Sequence, residues 1–176
     1  MIVSETVLET ERLRLTNWQP EHLPELVRLH GDPEIARYFT AEGLPWSEER
    51  CRLRLERWAS EFRDHRMGKL RVIRKEDGAL LGRAGFGIHE PTGEPEIGYA
   101  LFREHWGKGY ATEAAAGLRD WIFRETPHDH FIGFAHKDNA ASLAVLARIG
   151  MEPTRRQVIF DMPCQFFIYN RRAVHG

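Results

Sequence analysis

The sequence predicts one α/β domain spanning residues 1–176, and three features predict it. Strand-like and amphipathic-helix patterns succeed one another along the whole chain. Two near-continuous apolar stretches, PEIGYALF (95–102) and FIGFA (131–135), have the composition of central strands covered on both faces. No repeat, low-complexity run or linker divides the chain, and 176 residues suffice to bury about two-thirds of the unfolded surface.

In chain order, ERLRLTNW (11–18) alternates Leu13 and Leu15 with polar neighbours, as a strand does. PEHLPELVRLH follows with a proline and an acidic first turn, places Leu23, Leu26 and Val27 on one face, and meets Gly31 as a stop, which predicts a helix. YFTAEGLPW (38–46) is irregular and aromatic, fit either to pack helices together or to line a pocket. A second helix is predicted over 47–62, capped by Ser47, with Cys51, Leu55, Trp58 and Phe62 on one face. KLRVIRKEDGALLGRAGFGI reads as two strands joined at EDG, and 95–102 is the next strand. HWGKGYATEAAAGL (105–118) then leads into a helix carrying Ala111, Ala114, Ala115, Leu118 and Ile122 inward. After 131–135, Asn139 opens a helix with Leu143, Leu146 and Ile149 inside and Gly150 at its end; QVIF and QFFIY close the chain as strands.

Composition narrows the function. A formal net charge of −1, with the arginines spread along the chain, excludes a broad polyanion-binding surface, so no nucleic-acid partner is expected. Cys51 and Cys164 share no short-spacing motif, which predicts a reduced, cytoplasmic protein. No leader or long apolar run is visible, so no membrane association is expected. Nine histidines include HDH at 128–130, but none stands at ligand spacing with a Cys or a second His pair; no metal is expected.

The turn at 105–112 is the chemical centre of the sequence. Lys108 lacks the spacing of a P-loop, and Thr112 stands where a dinucleotide fingerprint requires a third glycine. GRAGFG (82–87) lies inside a strand pattern, where small residues permit close packing. What remains is strand, small-residue turn and helix start: a phosphate cradle made of helix N-terminal amides, or a structural turn.

The context resembles the GNAT acyl-CoA N-acyltransferase superfamily. Its pyrophosphate loop, Q/R-x-x-G-x-G/A, is matched by Trp106, Gly107, Lys108, Gly109, Tyr110 and Ala111, with Trp106 departing from Q/R. WGKGYATEA, TERLRL (10–15), IGY (97–99) and the Asn139–Ser142 pair are most similar to the branch containing the Rim-type ribosomal-protein N-terminal acetyltransferases. The resemblance implies a mixed, mostly antiparallel sheet, helices on both faces, splayed between 95–102 and 131–135. It implies acetyl-CoA held by residues 106–112, by backbone groups near Ala100 and Leu101, and by Asn139, which can also be an N-cap. It also implies direct transfer to a primary amine, a protein N-terminus or a small molecule, without an acyl-enzyme.

The chemistry requires a neutral amine, donors for an oxyanion and a proton for the departing thiolate. Backbone N–H groups near Gly98–Ala100 are the oxyanion donors implied by the splay. Leu146 occupies the position where many relatives carry an acidic tyrosine, so Ser142 is the candidate proton donor, or else a helix-start serine bonded to backbone. Glu96 and His136 are the candidate bases, or else strand-end residues; Glu94 and His89 are weaker candidates. Glu113 reads as a first-turn carboxylate, and Cys51 as packing rather than a nucleophile. A non-catalytic acyl-CoA sensor on the same fold, monomer or homodimer, is the rival reading.

Overall fold

The computed structural model describes residues 4–172. One eight-stranded sheet runs β1 (Thr6–Glu9), β2 (Leu13–Thr16), β3 (Lys69–Arg74), β4 (Leu80–His89), β5 (Glu94–Leu101), β6 (His130–His136), β8 (Met162–Asn170), β7 (Glu152–Ile159), in that spatial order. Every neighbouring pair is antiparallel except β5 and β6. That parallel pair is joined only at Glu96↔Ile132 and Ile97↔Gly133, so the strands part beyond Ile97. The expected splay is present, and it falls where the sequence placed the two most apolar strands.

Five α-helices cover the two faces: α1 (Leu23–His30), α2 (Pro33–Ala36), α3 (Glu48–His65), α4 (Tyr110–Glu125) and α5 (Ala140–Arg148). Ser47 caps α3 by accepting from the Arg50 N–H at 3.1 Å, as its position predicted. Helix α3 then runs three residues beyond Phe62, until Arg66 turns left-handed at φ 58°. The main core packs α4 and α5 against β2–β6, with Leu13, Leu15, Leu118, Ile122 and Phe131 fully buried. A second core under α1 and α3 joins Trp18, Leu26, Trp46, Cys51, Leu55 and Trp58. Cys51 donates weakly to the Leu26 carbonyl, and burial pushes its thiol up, which agrees with a packing role.

Other elements are also additional or longer than the sequence suggested. Strand β1 is short and pairs at the sheet edge through a bulge, so it carries little alternation to read. Helix α2 has only four residues, held by Asp32 accepting from the Glu34 N–H, within a stretch that propensity leaves irregular. Strand β7 begins at Glu152 rather than 157 because its exposed edge carries polar residues with no apolar stripe.

Candidate active site

The turn before α4 keeps the helix N-terminus open. Gly107 and Gly109 sit at φ 74° and 80°, a left-handed conformation that glycine adopts without penalty. A side chain at Gly107 would meet nothing, so backbone conformation, not crowding, requires this glycine. Gly109 caps α4, and the Glu113 N–H is the first to bond back, to the Gly109 carbonyl at 3.0 Å. The N–H groups of Tyr110, Ala111 and Thr112 are thus left without helical acceptors, beside the positive end of the dipole. Trp106 donates its indole N–H to the Leu101 carbonyl at 2.8 Å, tying the turn back to β5 while its ring stays half-exposed. Tyr110 is buried, with the Arg12 guanidinium 4.3 Å over its ring, so its side chain serves packing.

Glu113 does more than favour the helix dipole. Its Oε1 accepts from the Thr10 hydroxyl and the Arg12 N–H, each at 2.7 Å, and its Oε2 accepts from Arg12 Nε at 2.6 Å. Burial alone would raise this carboxyl, but these donors outweigh it and hold the group below the usual carboxylate range. Arg12 also donates to the Lys108 carbonyl, so the β1–β2 turn braces the glycine turn. The Lys108 ammonium itself points back to the Glu104 carbonyl at 3.1 Å.

From this turn a cleft of about 680 Å³ extends across the splay to Asn139 and Ser142, with Tyr99, Ala100 and Leu101 along its floor. The register of β5 corrects one expectation. The Phe102 N–H donates to the Leu81 carbonyl, opposite it in the ladder. Alternation along an antiparallel pair therefore turns the backbone groups of Gly98 and Ala100 toward β4, and those of Ile97, Tyr99 and Leu101 toward the gap. Ala100 is not the free edge; Tyr99 is, with Leu101 beside it, whose carbonyl is engaged by Trp106.

A second cleft, of about 220 Å³, opens on the α3 side of the sheet and is lined by Glu96 and His136 among others. Tyr99, Asn139 and Ser142 line both clefts, so the two meet there. Asn139 caps α5 by accepting from the Ser142 N–H at 3.3 Å. Ser142 Oγ donates to Tyr99 Oη at 3.2 Å, and Tyr99 Oη donates to the Ser142 carbonyl at 2.8 Å. Burial pushes the Tyr99 phenol up, so it remains a protonated donor. Leu146, in the position of the missing tyrosine, is buried.

Glu96 shares its surroundings with Lys69. A Cβ built on Gly98 would lie 3.0 Å from Lys69 Nζ and 3.7 Å from Glu96 Oε1. Lys69 crosses the sheet over Gly85, Gly87 and Gly98, donates to the Gly85 carbonyl at 3.2 Å, and is lowered by burial to about 8. His136 Nδ1 accepts from the Asp138 N–H at 3.1 Å, which leaves its Nε2 as the atom free to act. The weaker candidates lie elsewhere. Glu94 is bound to His130 at 2.7 Å, and His89 is buried against Phe134 and Phe166. Neither lines either of these two clefts. Sequence reasoning assigned no role to Tyr99, Lys69, Arg54 or Arg83; for Lys69 and Arg83 the signal was a charged residue beside a glycine among apolar neighbours, as in GRAGFG, and for Tyr99 it was the IGY triplet.

A strand edge freed at a splay, an open helix N-terminus beside it and a second cleft that meets the first at Tyr99, Asn139 and Ser142 make up the candidate site. The family model described as Acetyltransferase (GNAT) domain matches residues 12–152, and the chain belongs to that family of acetyl-CoA-dependent N-acetyltransferases. It is 29% identical over 147 residues to the uncharacterized N-acetyltransferase p20 of Bacillus licheniformis, covering 82% of each chain. It is 27% identical over 158 residues to the FsC-acetyl coenzyme A-N(2)-transacetylase of Aspergillus fumigatus, covering 85% of this chain and 66% of that protein. The solved structure of RimL, a ribosomal L7/L12 alpha-N-protein acetyltransferase in complex with coenzyme A, is similar in fold at 17% identity. Its TM-score is 0.80, over 95% of this chain and 98% of that one. No helix among the described residues is long and apolar enough to cross a membrane, and none of their His, Cys, Asp and Glu side chains group as a metal site.

Proposed function

We propose that this protein transfers acetyl directly from acetyl-CoA to a primary amine within a ternary complex, in the cytoplasm. One observation carries the reading: the two clefts meet at Tyr99, Asn139 and Ser142, so a donor and an acceptor entering from opposite sides reach one point. The free N–H groups of Tyr110, Ala111 and Thr112 fit a pyrophosphate, and the gap-facing edge at Tyr99 fits the amides of a pantetheine arm. Acetyl-CoA, when bound, supplies an activated thioester carbonyl.

The residues of this chain then divide the work. The Tyr99 N–H, turned into the gap, holds the carbonyl oxygen as it gains negative charge. Glu96 takes the ammonium proton of the acceptor, with His136 Nε2 as the alternative base on the same cleft. Ser142, turning its hydroxyl from Tyr99 Oη toward the departing sulfur, passes to the thiolate the second proton, which the newly acylated nitrogen sheds as the C–S bond breaks. Neither buried cysteine stands in either role. Release of free thiol from acetyl-CoA, measured across amines and peptide N-termini, tests the reading. Turnover with one class of amine is the expected result; tight binding without turnover on any amine would leave a sensor instead.

A further inference from the structure

We propose that the acceptor of this reaction carries an anionic group, a carboxylate or phosphate, besides its amine, and that Arg54, Arg83 and Trp46 hold it. The inference rests on the transferase reading above and names the chemical class of its second substrate. It starts from an imbalance of charge in the smaller cleft. Five cationic side chains line it, Arg50, Arg54, Arg57, Lys69 and Arg83, against the carboxylates of Glu61 and Glu96. Arg57 is taken by Glu61 and by Glu90, each at 2.9 Å. Among the described residues none of the other four forms an ion pair. Glu96 is left alone to face them.

Arg83 is the most demanding of these. It is 3% exposed, and its hydrogen-bond partner is His30, whose Nε2 accepts from Arg83 Nε at 2.8 Å. That bond requires a neutral ring nitrogen, and burial beside Arg83 holds His30 well below its ordinary range, so the imidazole brings no charge. The guanidinium sits 5.0 to 5.7 Å from the ring centroids of Phe39, Trp46 and Trp58. Aromatic faces attract a cation, but they leave its N–H donors without acceptors. Desolvation lowers Arg83 to about 9, so it is charged at neutral pH. A buried charge normally has a hydrogen-bonded counterion; here the protein does not provide one.

The neighbours repeat the pattern. Arg54 is half-buried, packs its guanidinium 5.7 Å from the Trp46 ring, and is lowered in pKa by that burial. The indole N–H of Trp46 is buried with no partner, and Trp46 lines the same cleft. Two guanidinium groups thus lie 5.7 Å from one indole ring in the same cleft, Arg83 bonded only to the neutral His30 and Arg54 to no acceptor among the described residues. A carboxylate or phosphate matches that donor set, and guanidinium binds such groups with paired hydrogen bonds. Glu96 then marks the amine end of the acceptor and the arginines its anionic end. A diamine would bring a second positive charge to the arginines, so the same side chains that favour a zwitterion reject a polyamine. The volume, about 220 Å³, suits a small zwitterion or the first residues of an acidic peptide.

Matched pairs test this. Acetylation is followed by thiol release with β-alanine and β-alaninamide, phosphoethanolamine and ethanolamine, and the peptides Ser-Glu-Glu-Ala and Ser-Gln-Gln-Ala. The acid member of at least one pair is expected to show kcat/KM about tenfold higher or more, as for one desolvated charge contact. Which pair responds separates a small-molecule from a peptide source of the anion. Arg54→Gln, on a partly exposed helix position, should collapse that acid-to-amide ratio through the acceptor KM, with the KM for acetyl-CoA unchanged. Arg83→Met should do the same, and circular dichroism reports whether it folds. Acid and amide forms acetylated equally, or a ratio untouched by Arg54→Gln, would overturn the inference alone. No acetylation of any amine would overturn the transferase reading and this inference with it.

Discussion

The larger cleft, between α2 on one side and α4 and α5 on the other, holds the open start of α4 and the free edge of β5, whereas the smaller one under α3 sets seven charged side chains among apolar and aromatic ones. In the first, the groups proposed to recognise the donor are the N–H donors of Tyr110, Ala111 and Thr112 and the β5 edge at Tyr99, with glycines at φ 74° and 80° keeping the approach open. In the second, Lys69, Arg83 and Glu96 rise from one face of the sheet and meet Arg54 from α3. The opposite face of the same strands carries Leu70, Ala84, Phe86 and Ile97 into the apolar core. One sheet therefore bears a dry core on one face and an uncompensated charge cluster on the other. Backbone recognition suits a donor that never varies, and side-chain recognition suits an acceptor that distinguishes one enzyme from the next.

The comparison can be broken at four places, taken from the largest expected effect downward. Glu96→Gln should lower kcat about 100-fold while acetyl-CoA affinity by calorimetry stays unchanged, because a general base acts only in the chemical step. A wild-type kcat would move that role to His136 or to water.

Lys69→Met should stabilise the protein by about 2 kcal/mol at pH 7, since an amine desolvated from 10.5 to about 8 is held charged at a cost. The sign over pH follows from the unfolded chain binding this proton more strongly. Stability of the parent protein rises between about pH 8 and 10.5 from this group, and the variant lacks that rise. Urea midpoints of both proteins at pH 7 and pH 10 measure it; equal gaps at the two pH values would contradict it.

Gly109→Val should weaken acetyl-CoA binding about tenfold, because a β-branched residue resists φ 80° and would shield the N–H groups of the helix start. Calorimetry showing parental affinity would remove the cradle from the donor site. Ser142→Ala is the mildest: kcat should fall about threefold to tenfold, the range of one neutral hydrogen bond. The Tyr99 bond to the residue 142 carbonyl remains, so melting temperature should hardly move.

Much of the fold was readable because it rests on local patterns. Ser47, Asn139 and the glycine turn announced the starts of α3, α5 and α4, and the apolar runs at 95–102 and 131–135 announced the central strands. The donor site shared that legibility, since a turn and a helix start are contiguous in the chain. The exception was register: which of Tyr99 and Ala100 faces the gap depends on pairing with β4, and a shift of one residue exchanges them. The acceptor side was mostly hidden. Arg54, Lys69, Arg83 and Glu96 lie far apart in sequence, each reading singly as a solvated surface residue. Tyr99 was legible only as part of IGY, although its hydroxyl holds Ser142.

By itself the sequence determined the alternation of helices and strands, the family and the turn that opens α4, because capping, periodicity and glycine conformation act over a few neighbouring residues. Tertiary structure alone decided that four cations from a helix and two strands would share one cleft with a single free carboxylate. Burial and the ion pairs that would neutralise those cations are set by residues brought together across the sheet, and only folding fixes which of them lack a partner.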